Sequence, residues 1–270
     1  MNEPLAPYTT FRIGGRAWAM FRPYGPEALA EAVVRARAHG FPWLVLGGGS
    51  KVLVPDQGFP GLVVLTSGLT GWHEEDDLLR VGAGAALPKA ARHGLAKLAG
   101  IPGTVGGAVA MNAGTTYGAI AEQVVWVRAL LPNGRVHTFR PEECGFTYRD
   151  SLFRRVRLPV LEVGLRPVPG PAVEPLLAER RGSQPLNLPS AGCVFRNPTD
   201  APPAGWLIDH AGLKGARIGD AVVSERHANF ICNLGRARAS DVLALVERIR
   251  ARVERLFGVW LTLELEVVGE

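Results

Sequence analysis

The sequence predicts an α+β fold, and three features lead to it. Apolar residues recur at helical spacing between residues 26 and 40, and again between 240 and 257. From about residue 66 to 182 they fall instead into short runs bounded by glycine, proline and asparagine, as strands and turns require. The first helix and the strands after it make a small α/β unit, strands carry most of residues 66–182, and the last third mixes helix and strand again, so the whole is read as α+β. With 270 residues, 47% of them hydrophobic and 20% charged, the chain can fill two or three cores.

In chain order, "GPEALAEAVVRARAHG" is a helix with Pro26 and Glu27 in its first turn, Leu29, Ala32, Val33 and Ala36 on one face, and Gly40 as its stop. "FPWLVLGGGSKVLVPDQGFPGLVVL" alternates apolar runs with glycine and predicts short buried strands at 43–46, 52–54 and 62–65. "LLRVGAG", "VVWVRALL", "RVHTF" and "LPVLEVGL" are strands, and Pro132-Asn133-Gly134 is a hairpin turn whose central residues take positive φ. One helix, "LPKAARHGLAKLAG", interrupts them, and the proline-rich stretch around residue 180 marks a linker or boundary.

The last third holds a short helix in "GWLIDHAGLKG" and a buried strand in "HANFICN". It also holds a long helix with Ser240 as N-cap and Leu243, Val246, Ile249, Val253 and Leu256 as its stripe. A final strand, "VWLTLELEVVG", puts Val259, Leu261, Leu263, Leu265 and Val267 on one face and Thr262, Glu264 and Glu266 on the other.

The net charge is +5, but Arg149, Arg154, Arg155, Arg157, Arg180 and Arg181 stand in short clusters, and no long basic run with interleaved aromatics appears. That argues against nucleic acid and suits small phosphorylated ligands, which guanidinium groups hold in bidentate fashion. No window is apolar enough to span a membrane. The opening "MNEPLAPYTTF" has neither the basic nor the apolar region of a secretion signal, and three cysteines make no disulfide framework. A cytoplasmic protein is expected. The histidines and cysteines show no metal-ligand spacing, so no metal is expected.

Two glycine-rich stretches invite a phosphate. Gly47, Gly48, Gly49 and Ser50 follow a strand, where backbone amides can approach a pyrophosphate unhindered by a Cβ. The same glycines also suit a tight turn. "GIPGTVGGAVAMNAGTTYG", with Thr104, Gly106, Gly107, Asn112 and Gly114, is a poor design for an ordinary helix or strand and reads as backbone wrapped around something. Tyr148, Arg149, Asp150 and Ser151 sit at a turn, where Arg149 suits a surface ion pair with Asp150 as well as a ligand. Glu264 and Glu266 suit the wet face of a strand, and His227 a boundary position. Cys193, in "SAGCVFRNP", is either a small buried apolar residue or a working thiol.

Eight stretches in order, "YTTFRIGG", "VLGGGSKVLV", "GIPGTVGGAVAMNAG", "YRDSLF", "AGCVFRNP", "LIDHAGLKG", "HANFICN" and "VWLTLELEVVG", resemble the UDP-N-acetylenolpyruvoylglucosamine reductases of bacterial cell-wall synthesis, in their shorter subtype. The resemblance covers nearly the whole chain. It implies a three-domain flavoprotein with a vanillyl-alcohol-oxidase-like FAD-binding module and a C-terminal α+β substrate domain. Residues 1–65 plus 259–270 would form the first FAD-binding domain, 66–182 the second, and 183–258 the substrate-binding domain. FAD would be bound and NADPH would be the co-substrate. A UDP-sugar enol ether would take hydride from flavin N5 at C3 and a proton at C2.

The resemblance also implies roles. Gly47, Gly48, Gly49, Ser50, Thr104, Gly106, Gly107, Asn112 and Gly114 would bind the cofactor. Arg149 would lie beside the enolpyruvyl carboxylate, and Tyr148, Asn197 and His227 would contact substrate. The catalytic glutamate falls on Glu264, with Glu266 as the alternative two residues on. In the family pattern "AGSVF" the proton donor is serine, and here that position is Cys193. A thiol, with an ordinary pKa of about 8.5, is a stronger acid than an aliphatic hydroxyl and can protonate an enol carbon while it stays protonated. Lys51 likewise replaces the usual asparagine of the first glycine loop. Arg180 and Arg181 are candidates for the UDP phosphates. A flavin oxidase on the same cofactor fold, or a silent nucleotide-binding regulator, are the competing readings.

Overall fold

The computed structural model describes residues 2–168 and 172–269, so residues 169–171 of the proline-rich stretch lie outside the described residues. The chain divides into two compact units, one of residues 1–18, 49–60 and 180–270, the other of residues 19–48 and 61–179. Helix and strand are mixed in both, and the fold is α+β.

In the second unit, five antiparallel strands run in the order Val136–Phe139, Val124–Leu130, Val160–Leu165, Leu78–Gly82 and Trp72–Glu75. All six residues of the central strand, "VLEVGL", are buried, as expected of a strand covered on both faces. Val163 and Leu165 pack into the larger core with Phe139, Phe153 and Val109. Leu161 joins Leu29 and Val33 of the helix Pro26–Ala38 in a second cluster. Glu162 is the exception in this apolar run, and its carboxylate lies between Arg80 at 2.6 Å and Arg128 at 3.0 Å. Arg128 is its direct cross-strand neighbour, so the charge is met where it is buried.

Several expected elements appear here in modified form. The hairpin joins Val124–Leu130 to Val136–Phe139, but only Gly134, at φ +83°, takes the left-handed conformation. Leu131 N donates to Arg135 O and Gly134 N to Leu131 O, a longer loop with one left-handed residue instead of a two-residue turn. The expected single helix after residue 86 stops at Arg92 and resumes as a 3-10 turn, Ala96–Leu98, because Gly94 breaks it. Part of the proline-rich stretch is a helix, Val173–Ser183. Pro175 falls in its first turn, where the missing N–H has no helical acceptor to lose.

The first unit carries a four-stranded antiparallel sheet, ordered Ser190–Cys193, Phe230–Asn233, Ala221–Val223 and Arg217–Ile218. The long helix Ala239–Phe257 buries Val242, Leu245, Val246, Ile249 and Val253 in the same core as Phe11, Leu53, Phe195 and Leu261. The stripe is centred nearer Val242 and Leu245 than expected, and Leu256 is 45% exposed.

The N-cap of this helix is Arg238 and not Ser240. The Asp241 carboxylate accepts from Arg238 N, and Asp56 accepts from Ala239 N at 2.7 Å and Ser240 N at 3.1 Å. Burial pushes the Asp56 carboxyl upward, but the hydrogen bonds from Ser240 and Ala239 and the nearby Arg238 charge outweigh it and hold it below the usual carboxylate range. A lowered folded-state pKa contributes stability above the unfolded pKa, and that contribution is lost as pH falls through the folded one. Asp56→Ala is expected to cost about 1 kcal/mol at neutral pH, and the difference from native should shrink on acidification below about pH 4. Thermal melts across pH measure it, and a difference independent of pH would refute the assignment.

The final segment is not one continuous strand. Thr262 O accepts from Arg196 N, both Glu264 N and Leu265 N point to Val194 O, and Glu266–Val267 then pairs in parallel with Val52–Leu53. The change of partner breaks the expected alternation, so that Glu264 and Leu265 are both buried. Among the described residues no helix is long and apolar enough to cross a membrane.

Candidate functional site

In the second unit, Gly47 and Gly48 directly follow the strand Trp43–Leu46. A Cβ at Gly47 would stand 2.6 Å from Thr104 Oγ1, and one at Gly48 2.6 Å from Gly103 Cα. Gly48 lets two loops meet backbone to backbone, and Gly47 makes room for the Thr104 side chain. Gly106 is similarly confined, 2.7 Å from the Ala83 Cβ, whereas Gly107 is exposed and nothing lies closer to its Cβ position than Thr104 Oγ1 at 3.5 Å. The stretch expected only to wrap a ligand thus contains a short helix, Val105–Ala110, capped by Thr104.

The amides divide sharply. Val105 N donates to Ala85 O, Gly106 N to Ala83 O and Gly107 N to Thr104 Oγ1. Those of Gly47, Gly48, Gly49 and Ser50 donate to no acceptor among the described residues. The first glycine loop therefore presents the donors that a pyrophosphate needs, and the second supports it by close packing.

The same unit holds the arginine turn. Thr147 and Asp150 exchange backbone hydrogen bonds of 3.0 and 3.2 Å, which places Arg149 at φ +55°. A side chain in that region costs roughly 1–2 kcal/mol, so the surroundings must impose it. Asn112 does part of this: its Nδ2 donates to Thr147 O at 2.8 Å and its Oδ1 accepts from Ala121 N at 3.3 Å. Arg149 Nη2 donates to Gly114 O at 2.8 Å, and the guanidinium lies 5.1 Å from the centre of the exposed Tyr148 ring. Asp150, the partner expected for Arg149, pairs with Arg155 at 2.8 Å. Arg149, Tyr148, Asn112 and Gly114 are thereby brought together.

In the first unit, Ser190 lies opposite Cys232 and Cys193 opposite Phe230, so the strand carrying Cys193 has one extra residue, a bulge with Gly192 at φ +72°. Such a bulge re-aims the side chain that follows. Asn229 clamps the next residues: its Oδ1 accepts from Phe195 N at 2.9 Å and its Nδ2 donates to Phe195 O at 2.8 Å. Cys193 is half-buried, while burial pushes the Cys144 thiol up to about 12, with help from Glu143 and Glu142, and that of Cys232 up to about 11. Of the three thiols, only that of Cys193 is partly open.

Glu264, only 5% exposed, is not on a wet face. Its Oε1 lies 2.6 Å from Lys51 Nζ, which also donates to Cys193 O at 2.8 Å. Cys193, Lys51 and Glu264 thus form one cluster. Glu266 is half-buried on the adjoining two-residue strand. Asn197 is exposed, and its Oδ1 accepts from Ala204 N at 3.0 Å, capping the helix Ala204–His210. His227 Nδ1 accepts from Asn229 N at 3.3 Å, which leaves a proton for Nε2, and its ring lies 4.8 Å from that of Phe230. Burial, reinforced by the Lys214 charge and opposed by a backbone hydrogen bond, lowers its pKa and favours the neutral ring. Arg180 donates to Gln184 Oε1, and Arg181 O accepts from Arg226. Sequence reasoning noted Lys51 only as a departure within the first glycine loop, not as the partner of Glu264 and Cys193, and it missed Asn229. The available signals were a lysine in place of asparagine in a glycine loop and an amide beside a buried strand.

A fold of this class with a donor-rich first glycine loop is that of a flavin enzyme, and the FAD binding domain family model matches residues 18–140. The model for the UDP-N-acetylenolpyruvoylglucosamine reductase C-terminal domain matches residues 184–268. The chain is 43% identical over 283 residues to the UDP-N-acetylenolpyruvoylglucosamine reductase of Heliobacterium modesticaldum, covering 100% of this chain and 90% of that protein. It is 45% identical over 285 residues to that of Moorella thermoacetica, covering 100% and 93%. The crystal structure of the Thermus caldophilus reductase matches with a TM-score of 0.81 at 40% identity, covering 99% of this chain and 98% of that one. The chain belongs to the UDP-N-acetylenolpyruvoylglucosamine reductase family and is an FAD-dependent oxidoreductase.

Proposed function

We propose that this protein reduces the enolpyruvyl ether of UDP-N-acetylglucosamine to UDP-N-acetylmuramate, with NADPH as reductant, in cytoplasmic peptidoglycan precursor synthesis. The observation that carries this reading is the cluster of the half-buried Cys193 with the buried Glu264 and Lys51. Reducing a carbon–carbon double bond requires a proton donor as well as a hydride. An alcohol oxidase or a silent nucleotide-binding protein has no use for such a donor.

The residues present fit the cofactor, because the amides of Gly47, Gly48, Gly49 and Ser50 donate to no acceptor among the described residues and Gly107 is exposed, with nothing closer to its Cβ position than Thr104 Oγ1 at 3.5 Å. Bound FAD would accept hydride from NADPH and supply it to C3 of the enol ether. Residues 1–65 with 259–270, and 66–182, hold the cofactor in this reading, and 183–258 contact the UDP-sugar.

Arg149 lies beside the enolpyruvyl carboxylate. Electron density moves toward that group as hydride adds, so a fixed cation stabilises the transition state more than the ground state. Its guanidinium is oriented by Gly114 O and backed by Tyr148, and Asn112 holds its turn. Cys193 gives its proton to C2, and Glu264 orients the donor. Asn197 Nδ2 and the neutral His227 meet the substrate as hydrogen-bonding groups that carry no charge.

The visible spectrum of the purified protein tests the assignment without oxygen. Flavin bands should bleach on adding NADPH and return on adding the enol ether. Bands that stay bleached with the enol ether and return only with oxygen would identify an oxidase instead.

A further inference from the structure

Two positions depart from the family pattern, Lys51 for asparagine and Cys193 for serine, and they lie far apart in sequence. The fold joins them: Lys51 Nζ donates to the Cys193 carbonyl at 2.8 Å and pairs with Glu264 at 2.6 Å. The parallel pairing of Val52–Leu53 with Glu266–Val267 brings the lysine to the glutamate, and the Gly192 bulge presents the cysteine. A Cβ at Gly192 would stand 3.4 Å from Lys51 Nζ, so the ammonium also lies against the bulge itself.

We infer that Lys51 is a positioning residue for proton transfer from Cys193: its ammonium fixes the Glu264 carboxylate and the Cys193 main chain, and offsets the negative charge left on sulfur. The inference rests on the proposed enol reduction. In that step hydride addition at C3 moves the double-bond pair to C2, the Cys193 S–H bond breaks, and the C2–H bond forms. The S–H pair stays on sulfur as a thiolate, which solvent water later reprotonates.

A serine donor leaves no comparably stable anion, whereas a cysteine donor leaves a thiolate on a residue whose carbonyl shares the Lys51 ammonium with the Glu264 carboxylate. Two negative groups so tied oppose the transfer unless a cation is at hand. Lys51 supplies the cation, so lysine and cysteine form a matched pair. With about a quarter of its side chain exposed, Lys51 is shielded from solvent enough for its charge to act locally.

Alkylation of Cys193 by iodoacetamide across pH tests this in the full-length holoenzyme, with Cys193→Ser as the blank. Cys144 and Cys232 are buried. Lys51→Met should raise the pH midpoint of alkylation by about one unit, because a nearby opposite charge is removed from the thiolate. Elements packed against the Cys193 strand also carry Tyr8, Arg12, His227, Cys232, Glu264 and Glu266, all unchanged in this variant. The same variant should slow flavin reoxidation by the enol ether about tenfold or more, while reduction by NADPH stays within about twofold. Lys51→Arg, which keeps the charge, should stay near native in both measurements.

An unchanged alkylation midpoint in Lys51→Met overturns the inference. So does a shifted midpoint with native reoxidation. If native protein is not reoxidised by the enol ether, the proposed function fails, and the midpoint still decides whether Lys51 stabilises the thiolate.

Discussion

Cys193→Ala will reduce flavin by NADPH at close to the native rate yet slow reoxidation by the enol ether roughly 10²- to 10⁴-fold, the scale of a positioned general acid. The two half-reactions separate because only the second consumes a proton at carbon. The bulge at Gly192 and the Asn229 clamp on Phe195 fix the backbone on both sides of the cysteine, so alanine removes the thiol without freeing the segment. Cys193→Ser should recover much of the loss, since serine holds this position in the family pattern. Native activity should fall at alkaline pH as the thiol ionises, and the serine variant should lack that limb. Anaerobic stopped-flow reoxidation across pH measures all three proteins. Native reoxidation in the alanine variant would return Cys193 to the role of a small packing residue.

Glu264→Gln should slow the same half-reaction about 100-fold, and Glu266→Gln by no more than about threefold. The difference follows from their surroundings. Glu264 is 5% exposed with Lys51 at 2.6 Å, whereas Glu266 is half-buried on the short parallel strand. Glutamine keeps the shape of Glu264 but leaves the lysine facing a neutral amide. Stability should fall too, and the melting temperature with it, by less than the roughly 3–5 kcal/mol expected of a fully buried pair, because Lys51 keeps some contact with water. Reoxidation rates and thermal melts of both variants measure this, and the reverse ranking would move the catalytic role to Glu266.

The legible parts of the sequence were those with local causes. The helix Pro26–Ala38 follows from its apolar period, and the hairpin at Gly134 from a turn signal between apolar runs. The candidate residues Arg149, Cys193 and Glu264 came from short motifs, and the structure gives the last two a common partner in Lys51. Illegible parts depend on distant segments. The burial of Glu264 could not be read from alternation, because its strand changes partner at Val194. Lys51 reaches Glu264 only through the pairing of residues 52 and 266, and nothing within either segment announces it. The capping of the long helix by Asp56 is of the same kind. The helix Val173–Ser183 was hidden by prolines that read as a linker.

The interleaving of the two compact units has a consequence for how the chain is made. Residues 19–48 and 61–179, one of the two compact units, are all made once residue 179 has left the ribosome, and can begin to fold while synthesis continues. Residues 1–18 and 49–60 cannot, because their unit is completed by 180–270. At ordinary elongation speeds the wait lasts on the order of ten seconds. During it Phe11, Ile13 and Leu53, all destined for one core, lack the residues from Ala191 to Leu265 that complete it. The parallel pair that joins Lys51 to Glu264 closes only after residue 267 has emerged, so the cluster of Lys51, Cys193 and Glu264 forms later than the unit of residues 19–48 and 61–179.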